Sequence, residues 1–185
     1  MFTKTLIFIW ELLKIAILAF IIVVPIRYFL FQPFIVRGAS MEPNFHSGDY
    51  LIIDEITYRF RDPQRGEVVV FSFPKNPSQR YIKRIIGLPG ETLEIKEGKI
   101  EIFSLQGQRI LDESSYLPPS YQSQISGEIK VTLNENEYFV LGDNRSFSSD
   151  SRSWGPLPRK YIIGRVFLRA WPLTAFAKIE APEYK

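Results

Sequence analysis

The sequence predicts a mostly β protein: a coiled antiparallel β-sheet domain, or partial barrel, behind one N-terminal transmembrane helix. Three observations carry this. A single long apolar run occupies residues 6–31. Beyond it, short apolar segments alternate with turn residues, and almost no stretch repeats at the helical period. Many short strands without amphipathic helices argue for an antiparallel sheet. Residues 1–31 therefore read as a membrane anchor and its exit, and 32–185 as one β domain. Within the domain, about 92–137 form a small hairpin-and-loop insertion.

Composition narrows the chemistry. The net charge of +3 is dispersed, too weak a bias for nucleic-acid binding but compatible with an anionic membrane surface. With no cysteine there is no disulfide framework, thiolate nucleophile or Cys-type zinc site, and His46 is the only histidine. A His-rich metal site is thereby excluded, and no cofactor is expected. The 15% aromatic content suits a β-rich domain or one that touches lipid.

Taken in order, the anchor is expected over about residues 5–24, long enough to cross ~30 Å of hydrocarbon if Lys14 snorkels and pairs with Glu11 at i,i+3. Pro25 and Arg27 mark the exit, with Tyr28, Phe29 and Phe31 as interfacial aromatics. Lys4 and Lys14 favour an inside N-terminus. No small-residue cleavage site follows Val24, so the anchor is read as retained rather than removed.

Strands are expected at 50–54 and at 67–73, the second apolar enough to be buried on both faces. The third, 80–86, places Tyr81, Lys83 and Ile85 on one face by alternation, which puts a lysine among apolar neighbours. Residues 92–95 and 99–103 flank Lys96-Glu97-Gly98 as a hairpin. Residues 104–128 read as irregular loop, 130–133 and 138–141 as strands, and 161–170 as the strand that closes the sheet. The run Gly142-Asp143-Asn144-Arg145 through Trp154 is dense in groups that hydrogen-bond backbone.

Just after the anchor comes Gly38-Ala39-Ser40-Met41-Glu42-Pro43. Glycine before Ser40 and proline after it suit a rigid exposed bend. A serine hydroxyl needs a base to become a nucleophile. The residues leave three candidates: His46, a carboxylate, or a lysine kept neutral by burial. Lys83 has the apolar surroundings for the last, and Ser-Lys pairs are a variant of triad logic.

In sequence, these segments together resemble bacterial type I signal peptidase. The resemblance covers most of the chain in order: the anchor; Gly38-Ala39-Ser40-Met41-Glu42-Pro43; Arg65-Gly66-Glu67-Val68-Val69-Val70-Phe71; Tyr81-Ile82-Lys83-Arg84-Ile85-Ile86-Gly87-Leu88-Pro89-Gly90-Glu91; and Gly142-Asp143-Asn144-Arg145 through Ser148, Asp150, Ser151 and Arg152. It implies Ser40 as nucleophile, Lys83 as general base and Ser148 as the hydroxyl that orients the lysine. Asp143, Arg145, Asp150 and Arg152 would be the polar scaffold. Phe34, Val36, Met41, Tyr81 and Ile82 would line shallow pockets for the small residues of an Ala-x-Ala cleavage site. It further implies a monomeric serine endopeptidase on the outer side of a bacterial plasma or thylakoid membrane, acting on signal peptides at the lipid bilayer. Some members carry a serine where Gly38 stands, so the oxyanion is expected to rely on the Ser40 amide with a main-chain or water donor. Three rivals remain beside this: a Ser-Lys self-cleaving repressor, a Ser40–His46 esterase, and an inactive membrane-tethered scaffold.

Overall fold

The computed structural model describes residues 2–29, 31–122, 125, 127–182 and 184, the side chains of 2–7, 22–29 and 31 excepted. Helix α1 spans Phe2–Phe29 and so continues through Pro25. Residues 8–21 are exposed along it, and Lys14 Nζ pairs with Glu11 Oε1 at 2.8 Å as the spacing predicts. That stretch rises about 20 Å. Among the described residues no helix is long and apolar enough to cross a membrane. The side chains of Lys4, Pro25 and Arg27 and of the exit aromatics Tyr28, Phe29 and Phe31 lie outside the described residues.

The strands are β1 (Phe31–Ile35), β2 (Tyr50–Asp54), β3 (Val68–Phe73), β4 (Asn76–Gly87), β5 (Thr92–Lys96), β6 (Lys99–Ser104) and β7 (Gly107–Ile110). After a one-turn helix α2 (Pro119–Gln122) come β8 (Ile129–Thr132) and β9 (Glu137–Leu141). A second one-turn helix, α3 (Ser151–Trp154), precedes β10 (Leu157–Pro158), β11 (Ile162–Trp171) and β12 (Ala177–Lys178). Among the described residues the larger sheet runs β1-β2-β11-β3-β4-β9-β10, with β12 beside β11, and the smaller runs β7-β6-β5-β8. The ladders of both sheets are antiparallel.

Strand β3 is buried on both faces, as its unbroken apolar run requires. Val68 and Val70 pack with Met41, Phe45, Leu51 and Ile82. Val69 and Phe71 pack with Ile85, Tyr138, Val140 and Leu157. The smaller sheet contributes Leu93, Ile95, Ile100 and Ile102 to a third cluster, joined to the larger sheet by Ile86, Phe139 and Leu141. Fully burying an aliphatic side chain of this size is worth roughly 1.5–3 kcal/mol.

Four expectations are corrected. β1 was not anticipated; it is an edge strand paired with β2 alone, where Pro33 is tolerated. β4 begins at Asn76, because an exposed arm ahead of Tyr81 extends the strand past its buried part. The stretch read as irregular contains β7 and α2; every residue of β7 is exposed, so no apolar period announces it, and backbone pairing to β6 holds it. β11 does not close an edge: it lies between β2 and β3 in the sheet interior.

Candidate active site

Ser40 sits on the bend between β1 and β2. Gly38 adopts φ +87°, a region a side chain would resist. Directly after Ser40, Met41 is fully buried, and the Phe45 N–H donates to the Met41 carbonyl at 2.9 Å. The bend is therefore anchored in the core while Ser40 remains half-buried.

Lys83 reaches Ser40 from β4, which is an interior strand between β3 and β9. The lysine is 4% exposed. Its Nζ lies 2.8 Å from Ser40 Oγ and donates to the Ile82 carbonyl at 2.8 Å. Nζ also stands 5.5 Å from the centroid of the Tyr81 ring, on the shared face that alternation predicts. Burial lowers the Lys83 pKa from 10.5 to about 8, against the opposing pull of Asp150 and Asp143. Desolvation disfavours the charged amine. A serine hydroxyl thus meets an amine that gives up its proton near pH 8, well below a solvated lysine.

The loop after β9 braces this pair. Asn144 N–H donates to the Ser40 carbonyl at 3.1 Å. Gly142 allows the close approach: a Cβ there would collide with the Ser40 carbonyl oxygen and with Ser148 Oγ. Ser148 thus packs against Gly142, and among the described residues its buried hydroxyl has no hydrogen-bond partner.

Asp143 is fully buried and takes a two-pronged bond from Arg84, Nε to Oδ1 at 2.8 Å and Nη2 to Oδ2 at 2.6 Å. Asn44 Nδ2 donates to Asp143 Oδ2 at 2.8 Å. The paired carboxylate holds the Arg84 pKa above its ordinary value although burial opposes this. Arg145 binds Glu113 in the same way, at 2.8 and 2.6 Å, and its Nε donates to the Gly142 carbonyl. Asp150 accepts from the Gly142 N–H at 3.0 Å and from Arg152 Nε at 2.8 Å. Arg152 Nη2 then donates to the Arg145 carbonyl at 2.6 Å.

The residues singled out for the scaffold from the sequence, Asp143, Arg145, Asp150 and Arg152, are all brought into one network beside Gly142. Their partners Arg84, Glu113 and Asn44 were missed. Arg84 adjoins Lys83 in the same motif, but nothing local pairs it with Asp143. Glu113 lies in the stretch that reads as loop and carries no sequence signal.

Ser40 and Lys83 open onto a cleft of about 740 Å³. Phe34, Tyr81 and Ile82 line it, together with Ile35 and Arg37, which the sequence did not single out. Val36 and Met41 do not reach the cleft; at 2% and 0% exposure they are part of the core cluster that contains Ile82. His46 is exposed, and its backbone N–H donates to Asp49 Oδ2. It is not among the cleft-lining residues.

Comparison with known proteins converges on one family. A family model described as "Signal peptidase, peptidase S26" matches residues 9–171. "Probable signal peptidase I-2" of Synechocystis sp. is 41% identical over 185 residues, covering 94% of this chain and 81% of that protein. Signal peptidase I of Bacillus caldolyticus is 33% identical over 167 residues, covering 84% and 88%. A solved signal peptidase I from Enterococcus faecalis V583 is 31% identical, with a TM-score of 0.46 over 57% of this chain and 97% of that one. With the family model extending over most of its length, the chain belongs to the signal peptidase family, peptidase S26.

Proposed function

We propose that this protein is a membrane-anchored serine endopeptidase that removes signal peptides from exported preproteins, with Ser40 as nucleophile and neutral Lys83 as general base. The observation that carries the reading is the 2.8 Å approach of Lys83 Nζ to Ser40 Oγ, in surroundings that bring the lysine pKa to about 8. Ser40 Oγ attacks the scissile carbonyl carbon as its proton passes to the Lys83 amine. Lys83 returns that proton to the departing amine of the mature chain, leaving an acyl group on Ser40. Water then adds to this ester as its proton passes to Lys83, and the intermediate collapses with Lys83 returning that proton to the departing Ser40 Oγ, which frees the signal peptide with a new carboxyl terminus. The Ser40 N–H is the oxyanion donor in this scheme.

Ser148 is the group that orients Lys83. In this structure its buried hydroxyl makes no hydrogen bond to Lys83, whose Nζ is bonded to Ser40 Oγ and the Ile82 carbonyl, so the orienting role rests on the family resemblance and on the place of Ser148 beside Gly142. Asp143, Arg145, Asp150 and Arg152 hold the loop and touch no reacting atom. The half-buried Phe34, with Tyr81 and Ile82, forms apolar walls that fit small residues of the Ala-x-Ala type.

Membrane attachment is supported by the exposed apolar side chains of α1, among them Phe8, Ile9, Ile15, Leu18 and Ile21. A second apolar surface supports contact between the β domain and the bilayer. Ile35, Tyr50 and Trp171 come together where β1, β2 and β11 meet, with Leu173 and Phe176 just beyond, all at least one-third exposed. Because Ile35 also lines the cleft, this surface would set the site against lipid. The reading places residues 1–31 as the anchor, the N-terminus in the cytoplasm, and a monomeric catalytic domain over 32–185 on the outer side of a plasma or thylakoid membrane.

The test is cleavage of a preprotein ending in Ala-x-Ala, in detergent. Wild type and His46→Gln are expected to cut, whereas Ser40→Ala and Lys83→Met are not. Full activity in Lys83→Met would refute the mechanism.

A further inference from the structure

A second hollow of about 310 Å³ is lined by Ala39, Glu42, Tyr121, Asn144 and Phe147. It shares no residue with the cleft that contains Ser40 and Lys83, yet the two meet at the Ser40 bend. Ala39 precedes Ser40, and Asn144 is the residue whose N–H holds the Ser40 carbonyl. Phe147 stands 76% exposed at its rim. Tyr121 comes from the one-turn helix α2 and is half-buried. Among the described residues no hydrogen bond or ion pair engages the Glu42 carboxylate. Neither the ion-paired scaffold nor the catalytic pair uses the side chains of Glu42, Tyr121 or Phe147.

A peptide lying across Ser40 must continue past the scissile bond. If its signal-peptide side occupies the cleft of Phe34, Tyr81 and Ile82, the mature side leaves toward Ala39 and Asn144. An extended chain advances about 3.3 Å per residue, so the first few residues after the cut come within reach of the hollow. A free carboxylate beside two aromatic rings suits a cation on a long apolar stem. We propose that the hollow lined by Glu42, Tyr121 and Phe147 binds the mature chain just after the cut and takes a lysine or arginine side chain there. This rests on the signal-peptide-cleaving function above and adds a charge preference on the far side of the scissile bond.

The experiment uses the full chain in detergent and a preprotein series carrying Lys, Gln or Glu at each of the first four positions after an Ala-x-Ala site. The quantity read is the ratio of kcat/KM for Lys over Glu within each enzyme, which cancels any general loss of activity. Wild type is expected to prefer Lys about threefold to tenfold at one or two of these positions. Glu42→Gln should bring the ratio close to one, and Glu42→Lys should invert it, which a structural defect would not do. Phe147→Ala, a change at an exposed ring, should reduce the ratio by about half. A wild-type ratio of one at all four positions, with every substrate cleaved, overturns the subsite and leaves the peptidase function standing. A preference that persists unchanged in Glu42→Lys also overturns it. Failure of wild type to cleave any member of the series overturns both.

Discussion

The most discriminating prediction is a pH dependence set by Lys83. The perturbation is pH from 6 to 11, applied to wild type and Lys83→Met. With its pKa lowered from 10.5 to about 8 by burial, about one Lys83 in ten is neutral at pH 7 and about nine in ten at pH 9. kcat/KM should therefore rise roughly tenfold over that interval and level off above it. A solvated lysine would be neutral in only a few molecules per ten thousand at pH 7, and the rate would still be climbing at pH 10. The same shift has a stability consequence. Below pH 8 the folded protein holds a buried ammonium that the unfolded chain would solvate, a penalty of roughly 3 kcal/mol. It fades as pH rises through 8 toward 10.5, where both states become neutral. Lys83→Met removes the penalty, so it should be more stable than wild type at pH 7 and lose that advantage by pH 11. The assays are initial-rate cleavage of a preprotein and urea unfolding at each pH. A rate limb near pH 6.5 that disappears in His46→Gln would refute the reasoning, as would a stability difference independent of pH.

Other substitutions test the surroundings of the pair. Gly142→Ala forces a Cβ against Ser148 and the Ser40 carbonyl; kcat should fall at least a hundredfold, with thermal unfolding showing a loss of about 1–3 kcal/mol. Arg84→Met leaves the Asp143 carboxylate buried beside Asn44 alone, and denaturant unfolding should register a loss of about 3–5 kcal/mol. Ser148→Ala removes a hydroxyl with no partner among the described residues, so stability should hold or increase slightly. If Ser148 orients Lys83, kcat should nevertheless fall about tenfold to a hundredfold with KM little changed, as steady-state kinetics would show.

The course of the chain was readable from sequence wherever one local rule sufficed. Period-two alternation located Lys83 on the face with Tyr81 and Ile85, and the unbroken apolar run of β3 announced burial on both sides. The hairpin of β5 and β6 followed from a turn flanked by alternating residues. The ordered motifs around Ser40, Lys83 and Gly142 pointed to one family. Where local pattern was absent the reading failed: β7 is wholly exposed, and β1 carries a proline.

What only the tertiary structure decided is which segments meet. β11 enters between β2 and β3, although it follows them by about a hundred residues. Lys83 lies on β4, an interior strand between β3 and β9, and its burial in the folded domain is what lowers its pKa. Glu113 finds Arg145 and Arg84 finds Asp143 across long loops, so charges that look solvated in the sequence become the buried frame of the site. Side-chain alternation and turn chemistry act between neighbours in the chain and can be read from it. Strand order and ion pairing depend on how distant segments pack against one another, and no local pattern encodes that.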